Sequence, residues 1–136
     1  MNEPQPQTIC VRESDLKTFC ANVLQRLGVG AEEASLVSTV LVEADLRGVD
    51  SHGVLRLPMY VERIVAGGTN PNPVIRTVRE TRTTAVLDGG NGLGHLVGVR
   101  AMELAMKKAS DAKCGPNKIP ELLTVFKWYG MGGAKC

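Results

Sequence analysis

The sequence of 136 residues predicts an α/β (α+β) fold in which three helices precede two strands and a fourth helix. Three observations predict it. Up to residue 68, apolar residues recur every three or four positions, the period of an amphipathic helix. After residue 73, apolar and polar residues alternate for short stretches, as in a strand. The length suits one ordinary domain, and 43% hydrophobic with 22% charged residues is typical of a globular chain.

Charge and aromatic content exclude several classes of protein. The formal net charge is only +2, and the chain has one Trp, two Tyr and two Phe, which argues against a nucleic-acid-binding surface of stacked rings among cations. No apolar run reaches the roughly 18 residues of a membrane helix. The segment Met1–Gln7 is polar and has no apolar stretch typical of an export signal, so a cytoplasmic protein is expected.

Two amphipathic helices come first. The first begins at about Ser14, where Ser14 or Asp15 would cap it, and ends before Gly28, which suits the left-handed conformation after a helix. The second runs over Ala31–Arg47, with acidic residues in its first turn. Because each has an apolar stripe, the two are predicted to pack as a hairpin. The stripes are Leu16, Phe19, Cys20, Val23, Leu24 and Leu27, followed by Val37, Val40, Leu41 and Ala44.

A third helix follows a turn-like break in the pattern. Pro58 is expected near its first turn, where a missing N–H costs no hydrogen bond. The segment Thr69–Pro73 is a predicted linker, because each of its prolines holds the preceding residue extended. The apolar residues of the third helix are Leu57, Tyr60, Val61, Ile64 and Val65.

Two strands and a fourth helix are predicted beyond the linker. Val74–Val78 alternates like a half-buried strand, and Thr83–Leu87 is rich in β-forming residues. A glycine-rich turn then leads into a helix over Leu93–Ala112. Its apolar side chains are expected in the core and two of its lysines in solvent. These are Leu96, Val99, Met102, Leu104, Ala105, Met106 and Ala109 for the core, and Lys107 and Lys108 for the solvent.

These elements divide the chain into four predicted parts. Residues 1–13 are a flexible lead-in, residues 14–68 a helical region, residues 69–112 the beginning of an α/β layer, and residues 113–136 a tail of different character. Two strands and one helix make only a marginal sheet, so the α/β layer is expected to be incomplete.

The four cysteines are scattered singly, at positions 10, 20, 114 and 136. No Cys-x-x-Cys pair occurs, and both histidines lie far from any cysteine in the sequence, so no metal site is expected. Reduced thiols are predicted, because no export signal is recognised. Cys20 lies on an apolar stripe and is expected to be a small buried hydrophobe.

The segment Asp50–Gly53, between the second and third helices, is the candidate for chemistry. Histidine is the side chain whose unperturbed pKa, about 6.5, lies closest to neutral pH, so it can give or take a proton, and Ser51 offers a hydroxyl beside His52. Arg56 would lie one helical turn above His52 if the third helix began there. A guanidinium grips a carboxylate with two N–H groups, and an imidazole moves a proton on a neighbouring oxygen. The pair therefore suits a small 2-oxo or 2-hydroxy acid.

Purely structural interpretations of the same loop stand beside this one. Asp50 or Ser51 would simply cap the third helix, the imidazole would be solvated, and Arg56 would pair with Glu62 or Asp45. A serine nucleophile at Ser51 is disfavoured, because no Gly-x-Ser-x-Gly sequence surrounds it.

A second candidate is the glycine-rich turn Gly90–Gly94, which joins a predicted strand to a helix. Backbone N–H groups at such a turn can bind a phosphate. The dinucleotide fingerprint fits imperfectly, because Val97 occupies the place of its third glycine when the motif starts at Gly92. A tight strand-to-helix turn is the favoured interpretation. His95 follows in the first turn of the helix, with no obvious partner.

Five motifs that keep their order and spacing carry a resemblance to a known family. They are Ala44–Pro58, Tyr60–Val61, Ala66–Gly68, Asn70–Pro71 and Leu87–Gly94. Together they resemble the malate/L-lactate dehydrogenase family of the second type, which also contains ureidoglycolate, sulfolactate and diketogulonate enzymes. The resemblance covers about residues 8–112.

The resemblance implies hydride transfer between NAD or NADP and a small 2-oxo or 2-hydroxy acid, in a homodimer. It implies a mixed-sheet cofactor domain distinct from the Rossmann fold, preceded by the helical region. His52 matches the residue that transfers the substrate's proton, Ser51 its polar neighbour, and Arg56 the carboxylate-binding arginine. No cofactor-binding residue is assigned, and neither a nucleic acid nor a membrane is an expected partner.

The tail departs from the family pattern. After the fourth helix the family continues with a strand and an Asn-His-Phe-Gly-type motif, whereas this chain has Lys113–Pro120, which does not match. Family members are also well over twice as long. The chain is therefore expected to be an incomplete, inactive fragment of such an enzyme. The alternative is a non-catalytic truncated form that acts as a dimerisation or interaction module.

Overall fold

The computed structural model describes residues 9–111 and 125–126, and it has the predicted α/β class and order of elements. Predictions for the rest of the tail, and for Cys114 and Cys136, lie outside these residues. Among the described residues, no helix has both the length and the apolar composition to cross a membrane. The elements are α1 (Glu13–Arg26), α2 (Ala31–Leu46), α3 (Leu57–Val65), β1 (Arg76–Glu80), β2 (Ala85–Asp88), α4 (Gly94–Asp111) and β3 (Val125–Phe126).

The helices α1 and α2 pack against each other as the predicted hairpin and form the centre of the core. Cys20 and Leu24 of α1 are completely buried, as are Val37 and Leu41 of α2. Cys20 is thus the buried small hydrophobe that the sequence predicts, and its thiol is free. Burial of these apolar side chains is the main force that holds the hairpin together.

The two ends of α1 agree only in part with the predictions from the sequence. The predicted cap at Ser14 or Asp15 is wrong: Arg12 is the N-terminal cap and no side chain bonds the free backbone N–H groups. The reason is that α1 begins at Glu13, so Ser14 and Asp15 lie inside its first turn, and the Asp15 carboxylate accepts from Arg12 Nε at 2.9 Å. After α1, Gly28 has φ +88°, the left-handed conformation that the sequence predicts there.

The sheet is mixed, with the order β1-β2-β3. β1 and β2 pair antiparallel, whereas β2 and β3 pair parallel. The prediction that the first strand is half-buried is wrong, because all five residues of β1 are exposed. A register irregularity between Thr77 and Arg79 leaves Val78 out of the pairing, so this strand does not present one regular apolar face.

The buried face of the fourth helix agrees with the predicted one only in part: Leu96 is buried, and Leu104 and Ala105 are half-buried. Met102 and Met106 are exposed, whereas Val97, Ala101 and Lys108 are buried. The two methionines are therefore not core residues, and Lys108 is not solvated. Lys108 is buried because its Nζ has two partners: it donates to the backbone oxygen of Thr81 and pairs with Glu80 Oε1, both at 2.7 Å.

This lysine connects α4 with the β1–β2 hairpin. Its hydrogen bond and its positive charge hold the pKa of Glu80 below the ordinary value. A buried ammonium group is costly unless it is paired, and here the carboxylate and the carbonyl together satisfy it.

The helical region and α4 share one core. Leu93 and Leu96 belong to the same apolar cluster as Leu24 and Leu41. The segment between them is also tied down, since Asn72 Nδ2 donates to the backbone oxygen of Gly28 at 2.7 Å. The division of the chain at residue 69 into a helical region and an α/β layer remains a prediction. In the structure, described residues from both sides of residue 69 pack in the same core.

His95 lies in the first turn of α4 against Tyr60 of α3. The two rings meet edge to face, with their centres 5.2 Å apart. The imidazole Nδ1 is buried, and no described residue lies within hydrogen-bonding distance of it. Burial lowers the pKa of His95 below its ordinary value of 6.5, because the charged form is poorly solvated there.

Lowering the pH should therefore destabilise the fold through His95. In the unfolded chain the His95 imidazole binds a proton near pH 6.5, whereas in the folded chain it does so only at a lower pH. The neutral imidazole therefore contributes its full stability above pH 6.5, and this stability is lost as the pH falls through the pKa of the folded state. The urea midpoint is expected to fall between about pH 7.5 and about pH 5.5. His95→Phe, which keeps a ring against Tyr60, should show a smaller fall. An equal fall in both proteins would contradict this expectation.

Candidate active site

The candidate loop joins α2 to α3 through two short 3-10 turns, Asp50–His52 and Val54–Arg56. Backbone hydrogen bonds close each turn: the N–H of Gly53 donates to the oxygen of Asp50 at 3.1 Å, and that of Arg56 donates to the oxygen of Gly53 at 2.9 Å. The loop is therefore an ordered structure with its own hydrogen bonds.

Ser51 and His52 are neighbours in space as well as in sequence. The Ser51 hydroxyl oxygen lies 3.0 Å from His52 Nδ1, within hydrogen-bonding distance. When Nδ1 carries the hydrogen and donates it to the hydroxyl oxygen, Nε2 is free to accept a proton from outside, and in the imidazolium form Nε2 can donate one. Both residues are exposed.

Arg56 is joined to the same pair through the backbone. Its Nε donates to the backbone oxygen of Ser51 at 2.6 Å. The helical register predicted for Arg56 and His52 is wrong, because α3 begins only at Leu57 and the two residues lie in separate 3-10 turns. The hydrogen bond to Ser51 brings Arg56 to the loop by another route, and leaves the two terminal guanidinium nitrogens for a further partner.

Of the structural interpretations of this loop, the solvated imidazole agrees with the structure, because His52 is exposed, whereas the helix cap and the ion pair do not. Neither Asp50 nor Ser51 caps the third helix, since Arg56 is its N-terminal cap and no side chain bonds there. The described ion pairs do not join Arg56 to Glu62 or to Asp45. Arg56 instead bonds a backbone oxygen of the loop itself.

Sequence reasoning missed the role of Asp45 in this loop. Asp45 Oδ2 accepts a hydrogen bond from the backbone N–H of Val54, at 3.0 Å. A signal was present in the sequence: Asp45 falls in the last turn of α2, where the helix dipole disfavours a negative charge. A carboxylate at that position needs a donor from outside its own helix.

The glycine-rich turn does not form a phosphate cradle. A Cβ atom at Gly92 would overlap the ring of Pro73, and one at Gly90 would come within 3.0 Å of the backbone oxygen of Val74. These glycines are thus explained by close packing against the preceding segment. The residues after Asp88 form the tight strand-to-helix turn that the sequence favours, and Gly90 and Asn91 have positive φ.

The described cysteines do not suggest a metal site. Cys10 is exposed and Cys20 is buried, and both are free thiols. Burial, and then the negative charge of Asp45, raise the pKa of the Cys20 thiol. Within residues 9–111, no group of three or more His, Cys, Asp or Glu side chains is arranged to hold a metal ion.

Comparison with known proteins places these features in a family context. The family model described as malate/L-lactate dehydrogenase matches residues 11–118. The malate dehydrogenase of Pyrococcus horikoshii is 50% identical over 107 residues, which are 79% of this chain and 30% of that protein. The L-sulfolactate dehydrogenase of Methanocaldococcus jannaschii is 46% identical over 99 residues, 73% of this chain and 29% of that protein.

A solved structure agrees with the sequence comparisons. The malate dehydrogenase from Pyrococcus horikoshii superposes with a TM-score of 0.76 at 48% identity. The match covers 82% of this chain and 32% of that one. The chain thus spans about 30% of the length of the curated relatives that it matches.

Proposed function

The chain belongs to the malate/L-lactate dehydrogenase family, and from that premise we propose that it supplies the acid-binding and proton-transfer residues for hydride exchange between NAD or NADP and a small 2-oxo or 2-hydroxy acid. The relatives' names support this substrate class, since they are malate and sulfolactate dehydrogenases. His52 and Ser51 are proposed as the catalytic pair, and Arg56 as the substrate-binding residue.

One observation carries the proposal: in one loop, a hydrogen bond joins the side chains of Ser51 and His52, and another joins the Arg56 side chain to the backbone of Ser51. The Ser51 hydroxyl meets His52 Nδ1 at 3.0 Å, and Arg56 Nε holds the backbone oxygen of Ser51 at 2.6 Å. A guanidinium that can bind a carboxylate and an imidazole that can transfer a proton are thus held in the same loop. This combination suits an acid whose reacting oxygen is on the carbon next to the carboxylate.

His52 would transfer the proton that accompanies reduction of the acid. As the carbonyl is reduced, negative charge develops on its oxygen, and a protonated ring nitrogen neutralises that charge. Ser51, bound to Nδ1, fixes the ring orientation so that Nε2 points to the substrate. In the direction of oxidation, the same nitrogen accepts the hydroxyl proton.

The described residues do not themselves fit a nicotinamide cofactor. Two of the glycines that most resemble a dinucleotide motif, Gly90 and Gly92, are explained by packing against Val74 and Pro73, so they give no support for a phosphate site. Ser51, His52 and Arg56 are also exposed, whereas hydride transfer needs a site that excludes water. We therefore propose that these 136 residues bind the acid but do not complete turnover alone. The choice of NAD or NADP, the homodimer and the cytoplasmic location belong to the same proposal.

The proposal is tested by titrating the chain with L-malate and following its NMR spectrum. The signals of His52 and Arg56 should move together and saturably, and NADH oxidation with oxaloacetate or pyruvate should be absent. His52→Gln should change the response of the loop while the rest of the spectrum is kept. Saturable binding that leaves the loop signals unmoved would refute the acid site.

Two further outcomes would redirect the proposal. Turnover that disappears in His52→Gln would show that the 136 residues are catalytically complete. Absence of binding, together with formation of a mixed dimer with a full-length relative in gel filtration, would favour the interaction module instead.

A further inference from the structure

A side chain of α2 is hydrogen-bonded to the loop that carries Ser51 and His52. Asp45 is half-buried near the end of α2, and its Oδ2 accepts from the N–H of Val54 at 3.0 Å. Val54 begins the second 3-10 turn, and Gly53 alone separates it from the turn that ends at His52. The carboxylate therefore bonds the chain at the junction between the turn of His52 and the turn of Arg56.

Gly53, the residue at that junction, fits against the same carboxylate. Gly53 is buried, and a Cβ atom there would overlap the Asp45 side chain. Its φ of −86° is open to any residue, so space rather than backbone conformation requires the glycine. A short side chain fixed by a hydrogen bond has little room to move aside, and any residue larger than glycine would displace it.

The position of Asp45 is unfavourable without this contact. The last turn of a helix exposes carbonyl groups and disfavours a negative charge. The hydrogen bond from Val54 offsets that cost, since a charged acceptor bonds about twice as strongly as a neutral one.

We propose that Asp45 is a positioning residue, whose carboxylate fixes the Gly53–Val54 junction and thereby sets the relative placement of His52 and Arg56. The inference deepens the proposed function and depends on it for its catalytic meaning. Asp45 does not reach the substrate in this proposal. It acts through the backbone of the loop, and its removal lets the two 3-10 turns separate.

The first test removes the carboxylate and measures the loop without any ligand. In Asp45→Ala, amide hydrogen exchange at Val54 should accelerate about tenfold, the loss expected for one hydrogen bond to a charged group. The ring ¹⁵N shifts of His52 should change with it, since its contact with Ser51 is no longer fixed. Asp45→Asn keeps an acceptor oxygen of the same shape and should restore most of both signals.

Glu43→Ala is the matched control. Glu43 is an acidic residue on the same helix, and it pairs with Arg47 at the surface, at 3.2 Å. Its removal should leave Val54 exchange and the His52 ring shifts at their wild-type values. If Asp45→Ala also left both unchanged, the positioning role would be wrong.

A second variant approaches the contact from the other side. Gly53→Ala should disturb the same signals as Asp45→Ala, because the added methyl group displaces the carboxylate. In Asp45→Ala/Gly53→Ala the methyl group meets no carboxylate, so the second substitution should add little to the first. Fully additive effects would contradict the inference. If Asp45→Ala folds poorly, Gly53→Ala tests the contact alone, because it keeps the carboxylate, and unchanged Val54 exchange and His52 ring shifts in that variant would contradict the inference.

L-Malate binding separates this inference from the proposed function. If both hold, wild type binds, Asp45→Ala binds about tenfold more weakly, and Asp45→Asn recovers. If the proposed function fails, wild type does not bind L-malate, yet the loop signals still respond to Asp45. If the positioning role fails, wild type and Asp45→Ala bind equally and the loop signals do not move.

Discussion

Replacing Arg56 with alanine should weaken L-malate binding by about 10- to 100-fold. A charge-assisted hydrogen bond contributes about 1.5–3 kcal/mol, and each 1.4 kcal/mol is a factor of about ten in affinity. The variant also loses the bond from Nε to the backbone oxygen of Ser51, so the loop is disturbed in addition. The dissociation constant from an NMR titration measures the effect.

Arg47→Ala is the control for this experiment. Arg47 is an exposed arginine a short distance before the loop, and it pairs with Glu43 rather than with any residue of the site. Its loss removes the same formal charge and should leave the affinity close to that of wild type. Arg56→Lys keeps the charge without the planar fork and should fall between the two. Equal affinities in Arg56→Ala and Arg47→Ala would exclude a specific carboxylate contact.

Replacing Leu41 with alanine should destabilise the fold by about 3 kcal/mol or more. Leu41 is completely buried between the helices and belongs to the shared core. Its truncation removes apolar contacts and leaves a cavity that the rigid helix hairpin cannot fully close. A small domain has a total stability of only about 5–15 kcal/mol, so the loss is a large fraction of it.

Leu46→Ala, a substitution on the same helix, provides the comparison, and urea unfolding measures both variants. Leu46 is 61% exposed, and its truncation leaves no cavity. Its free energy of unfolding should stay within about 0.5 kcal/mol of wild type. A loss as large as that in Leu41→Ala would mean that the buried face of α2 is assigned to the wrong side of the helix.

The helices could be predicted from the sequence because their evidence is local. The apolar repeat around Leu24 and Leu41 identifies the buried faces of α1 and α2, and Gly28 adopts the left-handed conformation expected after α1. Such signals depend on neighbours three or four positions away, which the sequence displays directly.

The buried faces of the sheet and of α4 could not be predicted as well, because their burial depends on residues that are distant in the sequence. Lys108 is buried only because Thr81 and Glu80 lie opposite it, 27 and 28 positions earlier in the chain. Nothing in the helical repeat of α4 reveals that partnership. Val78 likewise is exposed through a pairing irregularity that periodicity does not show.

The residues of the candidate site could be selected by chemistry, but their arrangement could not. The sequence identifies Ser51, His52 and Arg56 as suitable groups, yet it places Arg56 on a helix with His52, whereas two 3-10 turns separate them. The bond from Arg56 to the backbone of Ser51 and the contact of Asp45 with Val54 both depend on that unpredicted loop geometry.

The hydrogen bonds of the loop have a kinetic consequence. Asp45 and Val54 are nine positions apart, and Ser51 and Arg56 are five apart. Contacts this close along the chain need little loop closure and form early in folding. During synthesis, which proceeds from the N-terminus, we expect the loop to be in place before the sheet has emerged. Errors in strand pairing would then leave the arrangement of this loop intact.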